Sequence, residues 1–158
     1  MTDPMAAEAV TDRLSPREVG DTLPKARRAI TRQAIDAYRA ASGDNNPLHY
    51  DDEFAAATQF GGVIAHGMLT LALVSEMMTR SYGRDWLSSG NLRVRFRGAA
   101  YPGDVLEATG RVAKREFTDN GLIVTCNVEV RSAHNDSRII TGSASVTLSP
   151  PAQGEAGA

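Results

Sequence analysis

Cysteine is almost absent from the sequence: Cys126 is the single cysteine among 158 residues, so no intramolecular disulfide can form. This scarcity is typical of a reducing compartment and predicts a cytoplasmic protein. Residues 1–14 contain three acidic side chains and no long apolar run, which argues against a secretory signal. The most apolar stretch, residues 63–78, is interrupted by polar side chains and is too short to cross a bilayer.

An excess of positive charge is also missing, because 17 Lys and Arg residues face 19 Asp and Glu residues, for a net charge of −2. The chain as a whole therefore lacks the basic footprint of a nucleic-acid-binding protein. Its three histidines, His49, His66 and His134, have no recognisable metal-ligand spacing, and no usual phosphate-binding glycine loop occurs. We expect no metal, no redox cofactor, and no nucleic-acid or membrane partner.

The length suits one domain with a modest core. Residues 1–17 and 149–158 are rich in small and polar side chains. Such segments bury too little apolar surface to offset the entropy of ordering, so we expect flexible ends. The folded domain is predicted to span residues 18–148.

The first predicted helix follows Thr31, a good N-terminal cap, and stops at Gly43. A polar loop over residues 44–50 comes next. Pro47 restricts the backbone of this loop and of the residue before it, so the loop should have a defined shape.

Two more helices are predicted further along the chain. Asp51 can cap a short one that runs through Thr58. A longer helix should start near His66 and Gly67 and end at about Arg80. Its side chains are apolar on nearly every side, which is typical of a helix inside a core.

Beyond residue 91 the apolar period changes from helical to two. Four strands are predicted, near residues 92–97, 105–114, 122–131 and 139–148, with a hairpin turn at 119–121. No room is left for helices between these strands, which excludes a βαβ fold. Helices followed by antiparallel strands predict an α+β fold in which a sheet wraps one buried helix.

The loop that carries Asp44 and His49 is the first candidate for chemistry. A carboxylate and an imidazole five residues apart can hold one water and move two protons, since one accepts while the other donates. The ordinary pKa of histidine makes both roles accessible near neutral pH. The alternative is a simple turn, in which Asp44 caps backbone amides and His49 is merely half-buried.

The second candidate is the glycine-rich entry to the long helix, residues 61–68. The N-terminus of a helix presents unpaired N–H groups and the positive end of its dipole. Gly67 has no side chain, so a carbonyl oxygen can approach its N–H and be stabilised as it gains negative charge. The alternative is that these glycines only allow a tight turn into the core.

Two segments carry a family resemblance. Ser42–Ala55 (SGDNNPLHYDDEFA) resembles the hydratase motif of the (R)-specific enoyl-CoA hydratases, the MaoC-like dehydratases, and Val63–Leu69 (VIAHGML) resembles their entry into the central helix. The resemblance extends from about Val19 to Leu148. It implies a single hot-dog fold, in which an antiparallel sheet wraps a long central helix. It also implies a homodimer with the active site near the subunit boundary.

The same resemblance implies the reaction: reversible syn addition of water to a trans-2-enoyl thioester, giving the (R)-3-hydroxyacyl thioester. Asp44 and His49 would be the catalytic pair around a water, and the Gly67 N–H would bind the thioester oxygen. Asn46 would help to hold the loop and the hydrogen bonds of the site. The carrier would be coenzyme A or an acyl-carrier protein. The acyl chain length, and which of the pair is base and which acid, stay open.

Further candidates are weaker. His66 can line the pocket or simply pack at the helix entry, and Ser75 can face the acyl chain or bond a backbone carbonyl. Arg93, Arg95 and Arg97 share one strand face and suit phosphates or an acidic carrier surface, although such a row is more often a solvated or interface face. Two alternative functions compete: an acyl-thioester hydrolase on the same scaffold, and a non-catalytic subunit of a heteromeric dehydratase.

Overall fold

The computed structural model describes residues 17–149, which form three α-helices, one 3₁₀ turn and five strands. In chain order the elements are β1 (Ala26–Ala29), α1 (Arg32–Ser42), the 3₁₀ turn (Pro47–His49), α2 (Asp52–Ala56), α3 (Gly67–Ser89), β2 (Asn91–Phe96), β3 (Val105–Thr118), β4 (Gly121–Ser132) and β5 (Arg138–Leu148). The ends predicted to be flexible, 1–17 and 149–158, lie outside the described residues apart from Arg17 and Ser149, so their flexibility stays a prediction.

The five strands form one antiparallel sheet in the order β1-β3-β4-β5-β2. Alternate residues of β4 are buried because one face of the sheet packs on α3, as the period of two requires. This confirms the predicted α+β architecture, an antiparallel sheet around a long central helix. The β3–β4 hairpin turns at Gly121, whose φ of 125° favours glycine.

Three of the predicted helix boundaries near the site are confirmed, those at Thr31, Gly43 and Asp51. Thr31 accepts a hydrogen bond from the N–H of Ala34 at 3.0 Å, and Gly43 ends α1 in the left-handed region at φ 73°. Asp51 accepts from the N–H of Phe54 at 3.0 Å and so caps α2. The short helix ends at Ala56, however, and not at Thr58 as predicted.

One strand was not predicted from the sequence. β1 precedes α1 and pairs with β3, with Ala26 opposite Ala108. Its sequence, ARRA, has neither alternation nor β-branched residues, so its strand structure comes from pairing with β3. The expectation that helices precede all the strands is therefore wrong.

The central helix also runs further than predicted. It extends from Gly67 to Ser89, past the expected end at Arg80. The helical conformation is interrupted at Gly83, where φ is 53° and ψ is −128°. Trp86 in this second part donates from its indole Nε1 to Ser75 Oγ at 3.0 Å. Because eleven residues of straight helix would separate their backbones by about 16 Å, the chain changes direction at the break.

The core lies between α3 and the sheet. Fully buried side chains come from both layers, including Val74, Met77 and Met78 of the helix and Val124 and Val130 of β4. None of the helices in residues 17–149 combines the length and the apolar character that a membrane crossing requires.

Candidate active site

The loop after α1 is held by side-chain hydrogen bonds to its own backbone. Asp44 Oδ1 accepts from the N–H of Asn46 at 3.2 Å. Asn46 Oδ1 in turn accepts from the N–H of Leu48 at 3.0 Å and caps the 3₁₀ turn. Asp and Asn are well suited to such turns. The two bonds therefore shape the loop that presents both Asp44 and His49.

His49 is buried, and one of its ring nitrogens is already engaged. Its Nδ1 lies 2.8 Å from the carbonyl oxygen of Ile64. A carbonyl can only accept, so Nδ1 carries the proton in this bond. The other nitrogen of the neutral ring, Nε2, then holds a free lone pair. His49 is thus ready to accept a proton at Nε2.

The ring of His66 lies against the ring of His49. Only 1% of its surface is exposed, and its ring stacks on that of His49 with the centroids 3.8 Å apart and the planes 26° apart. Its Nε2 lies 3.2 Å from the carbonyl oxygen of Asp44, to which it donates. Tyr38 of α1 contacts the His66 ring at a centroid distance of 4.8 Å.

Burial is the main cause that lowers the pKa of His66 below its ordinary value. The hydrogen bond to the Asp44 carbonyl raises this pKa, whereas the nearby charge of His49 lowers it. The net lowering keeps the ring neutral near neutral pH. With Nε2 donating, Nδ1 is unprotonated, and it is buried without a partner among residues 17–149.

Gly67 begins α3, and no side chain caps this end of the helix. Its N–H therefore belongs to the set of first-turn amides that lack partners within the helix. A Cβ at this position would lie 3.1 Å from Cε1 of Phe96, closer than most Cβ contacts in proteins. The absence of a side chain at Gly67 keeps the approach to this amide open.

A cavity of about 320 Å³ opens beside these groups. His49 and Gly67 both line it, and most of the other lining is apolar. Thr70 adds a hydroxyl, which donates to the Gly67 carbonyl at 2.6 Å. The other lining residues are Phe60, Ile64, Ala65, Phe96, Arg97, Gly98, Ala99 and Ala100. A largely apolar cavity with a few polar groups in its lining suits a small organic ligand.

Sequence reasoning missed several of these lining residues, notably Phe60, Thr70 and Phe96. The sequence places Phe96 only within the strand predicted near residues 92–97. It is 51% exposed because it lies at the end of the edge strand β2, close to the start of α3. No local pattern in the sequence predicts that Phe96 lies close to the start of α3.

The predicted site residues separate into two groups. Side-chain atoms of Asp44, His49 and His66 that could act as ligands all lie within 4.8 Å of one another. Ser75, in contrast, does not line the cavity, and its hydroxyl accepts the bond from Trp86. Asn46 also does not line the cavity and acts within the loop. The structure thus brings Asp44 and His49 together, but only His49 lines the cavity with Gly67.

The arginine row of β2 lies on the sheet face opposite α3. Arg93, Arg95 and Arg97 are exposed and line a second depression, of about 360 Å³. Arg97 also lines the cavity beside His49, and its Nε donates to Thr141 Oγ1 at 3.1 Å. A larger depression of about 820 Å³ lies over the outward residues of the middle strands and includes none of the predicted site residues.

The cluster of Asp44, His49 and His66 is a weak arrangement for a metal ion. One nitrogen of each imidazole is occupied by a backbone carbonyl. The remaining nitrogen of His66, Nδ1, is buried, and His66 does not line the cavity beside His49. The groups present suit proton transfer better.

Comparison with known proteins identifies the family of the chain. Residues 16–134 match the family model described as MaoC like domain. The chain is 32% identical over 133 residues to a mitochondrial 3-hydroxyacyl-[acyl-carrier-protein] dehydratase of Arabidopsis thaliana, which covers 83% of this chain and 77% of the relative. It is also 32% identical over 111 residues to the 3-hydroxyacyl-thioester dehydratase Z of Mycobacterium tuberculosis, over 66% of this chain and 74% of that protein.

Among solved structures, an (R)-hydratase from A. caviae involved in PHA biosynthesis superposes with a TM-score of 0.69 at 27% identity. The match covers 85% of this chain and 98% of that one. The family match spans most of the chain and includes the Asp44–His49 loop, the Gly67 helix entry and most of the sheet. The chain therefore belongs to the family of MaoC-like dehydratase domains.

Proposed function

We propose that this protein reversibly adds water to a trans-2-enoyl thioester and yields the (R)-3-hydroxyacyl thioester. One observation carries the proposal: His49, whose Nδ1 bonds a carbonyl so that Nε2 keeps its lone pair, and Gly67, the first residue of α3, line the same largely apolar cavity, and the Asp44 carboxylate lies within 4.8 Å of a ring nitrogen of His49. The names of the dehydratase and hydratase relatives support the same reaction class.

In the proposed reaction, His49 Nε2 takes a proton from water as the water oxygen forms its bond to C3 of the enoyl group. The electron pair of the C2–C3 double bond moves towards the thioester oxygen. The imidazolium then returns its proton to C2, and the double bond to the oxygen re-forms. Hydroxyl and hydrogen reach the same face because one group handles both, which gives syn addition.

Asp44 would orient the water by accepting its second hydrogen. An ionised carboxylate also favours the transient imidazolium form of His49. The His66 ring donates to the Asp44 backbone carbonyl, and the Asn46 backbone N–H donates to the Asp44 carboxylate. These bonds hold Asp44 in the loop, so the carboxylate need not reorganise during the reaction.

The Gly67 N–H would stabilise the negative charge that develops on the thioester oxygen. The positive end of the α3 dipole adds to this effect. Removal of one such donor in other enzymes costs about 100- to 1,000-fold in turnover.

We also propose a cytoplasmic homodimer that takes its substrate on coenzyme A or an acyl-carrier protein. The edge strand β2 has one hydrogen-bonded neighbour, β5, among the described strands, and exposed Phe96 lies at its end. A second copy along this edge would cover both features. Arg97, which lines the cavity, and Arg93 and Arg95 in the neighbouring depression offer charges that suit the phosphates of either carrier.

The test is hydration of crotonyl-CoA and longer enoyl thioesters, followed as loss of enoyl absorbance. Oxidation of the product by an (R)-specific 3-hydroxyacyl dehydrogenase reports the stereochemistry. A thiol-trapping dye in parallel detects hydrolysis. Absorbance loss without thiol release supports the proposal, whereas thiol release at the same rate identifies a hydrolase. A product oxidised only by an (S)-specific enzyme contradicts the proposed stereochemistry.

A further inference from the structure

His66 joins three parts of the site that are distant in the sequence. It is the residue immediately before Gly67, at the start of α3. Its Nε2–H donates to the Asp44 carbonyl, 22 residues earlier in the chain, and its ring stacks on His49. One buried side chain therefore contacts the loop of both proposed catalytic residues and also abuts the proposed oxyanion donor.

These contacts constrain the orientation of Asp44 and His49 as well as their positions. The bond to the Asp44 carbonyl fixes the main chain from which that carboxylate projects. The stacked ring restricts rotation of the His49 plane about its bond to Ile64, and so directs the lone pair of Nε2. Misplacement of a reacting group by about 1 Å is enough to cost about 100-fold in rate.

His66 itself is poorly suited to touch substrate. It does not line the cavity beside His49 and Gly67, and its free nitrogen, Nδ1, is buried. Of the two roles that the sequence left open for His66, its surroundings therefore favour packing at the helix entry over lining the pocket.

We propose that His66 is a positioning residue, which acts through Asp44 and His49 by means of one hydrogen bond and one ring stack. The inference rests on the proposed hydratase function. According to this inference, turnover requires a second imidazole, that of His66, in its neutral form with the proton on Nε2. The charged and titratable neighbours of this ring are Asp44, His49, and Arg39 and Tyr38 of α1.

Three substitutions separate the two contacts. His66→Gln keeps an N–H donor near the position of Nε2 but loses the ring, and His66→Met has a similar shape without a donor. His66→Phe keeps a ring for the stack but cannot donate. We expect kcat to fall about 100-fold in His66→Met, as for a misplaced group. We expect KM to change less than about threefold, because His66 does not line the cavity.

The contribution of the hydrogen bond to kcat is measured by comparing His66→Gln with His66→Met. His66→Gln should exceed His66→Met by about fivefold in kcat, the factor that one neutral hydrogen bond is worth. His134→Met, at an exposed turn position, serves as the matched control and should retain wild-type kcat. Equal kcat in all three His66 variants and the wild type, measured on folded protein, would overturn the proposal. A loss confined to thermal stability would do the same.

A second readout does not depend on activity. In the wild-type protein, ¹⁵N NMR of the imidazoles should show His66 protonated at Nε2 and His49 protonated at Nδ1. In folded His66→Phe and His66→Met, His49 should keep this tautomer, because the Ile64 carbonyl determines it. A wild-type His66 protonated at Nδ1 is incompatible with the bond to Asp44 and overturns the inference. If the wild type hydrates no enoyl thioester, the proposed function fails, but the NMR result stands separately.

Discussion

The ring of His49 and the carbonyl of Ile64 form a 2.8 Å hydrogen bond that determines which imidazole nitrogen is free. Ile64 in turn donates its N–H to the Leu48 carbonyl at 3.3 Å, so the two segments hold each other. Backbone geometry, and not a second carboxylate, thereby selects the tautomer of the proposed base. In many histidine bases a carboxylate has this role.

Removal of the proposed base should abolish most of the activity. In His49→Gln we expect kcat to fall about 100- to 10,000-fold, because proton transfer to water is lost. Steady-state hydration of crotonyl-CoA measures the effect, and circular dichroism checks the fold. His134→Gln, at an exposed position, is the matched control. Full activity in His49→Gln would exclude His49 as the base.

The carboxylate of Asp44 can be neutralised with little change in the loop. Asn in place of Asp44 retains an oxygen that can accept from the Asn46 amide, so the turn should persist. We predict a fall in kcat of about 100-fold or more in Asp44→Asn, with thermal stability close to wild type. Asp119→Asn, in the exposed β3–β4 hairpin, should leave kcat unchanged. Similar kcat values for the two variants would count against a role for Asp44.

A methyl group at Gly67 should disturb the site through Phe96. The added Cβ would lie 3.1 Å from the phenyl ring, so the ring must move by a few tenths of an ångström. We expect kcat/KM to fall about tenfold in Gly67→Ala, since small misplacements near the reacting group are costly. Gly62→Ala, where a Cβ meets nothing within 4 Å, is the control. In the double variant Gly67→Ala/Phe96→Leu, part of the activity should return.

Protein stability should decline in mild acid because of His66. Its pKa is lowered by burial in the folded protein, whereas in the unfolded chain it is about 6.5. The unfolded state therefore binds this proton first as the pH falls. Stability is complete above about pH 6.5 and is lost towards the folded pKa, with a slope of at most about 1.4 kcal/mol per pH unit.

Urea unfolding at pH 7.5, 6.0 and 5.0 measures this slope, with His66→Gln as the comparison. The variant should show a weaker dependence on pH over the same interval. Parallel curves for the two proteins would mean that other groups dominate the acid effect.

Cys126 should be unreactive while the protein is folded. It is fully buried, and burial raises the pKa of its thiol, which keeps the reactive thiolate scarce. A thiol-trapping dye at pH 8 should label it only after denaturation. Rapid labelling of native protein would show that the core opens. Slow labelling also means that Cys126 does not interfere with the assay for thioester hydrolysis.

Local sequence signals were sufficient for the elements that bear the proposed catalytic pair. The caps at Thr31 and Asp51 and the stop at Gly43 need only nearby backbone, so their chemistry can be read from neighbouring residues. The alternating strands were predictable for the same reason, because one face of the sheet is buried. The motif resemblance added the family, which the comparisons confirm.

The tertiary structure alone decided the contacts between distant residues. β1 is a strand because it pairs with β3, about 80 residues away, and not because of its composition. Phe96 lines the cavity because β2 forms the sheet edge near the start of α3, and His66 bonds Asp44 because the loop packs on that helix end. Such contacts depend on how whole elements pack against one another, and local propensity and periodicity do not predict that packing.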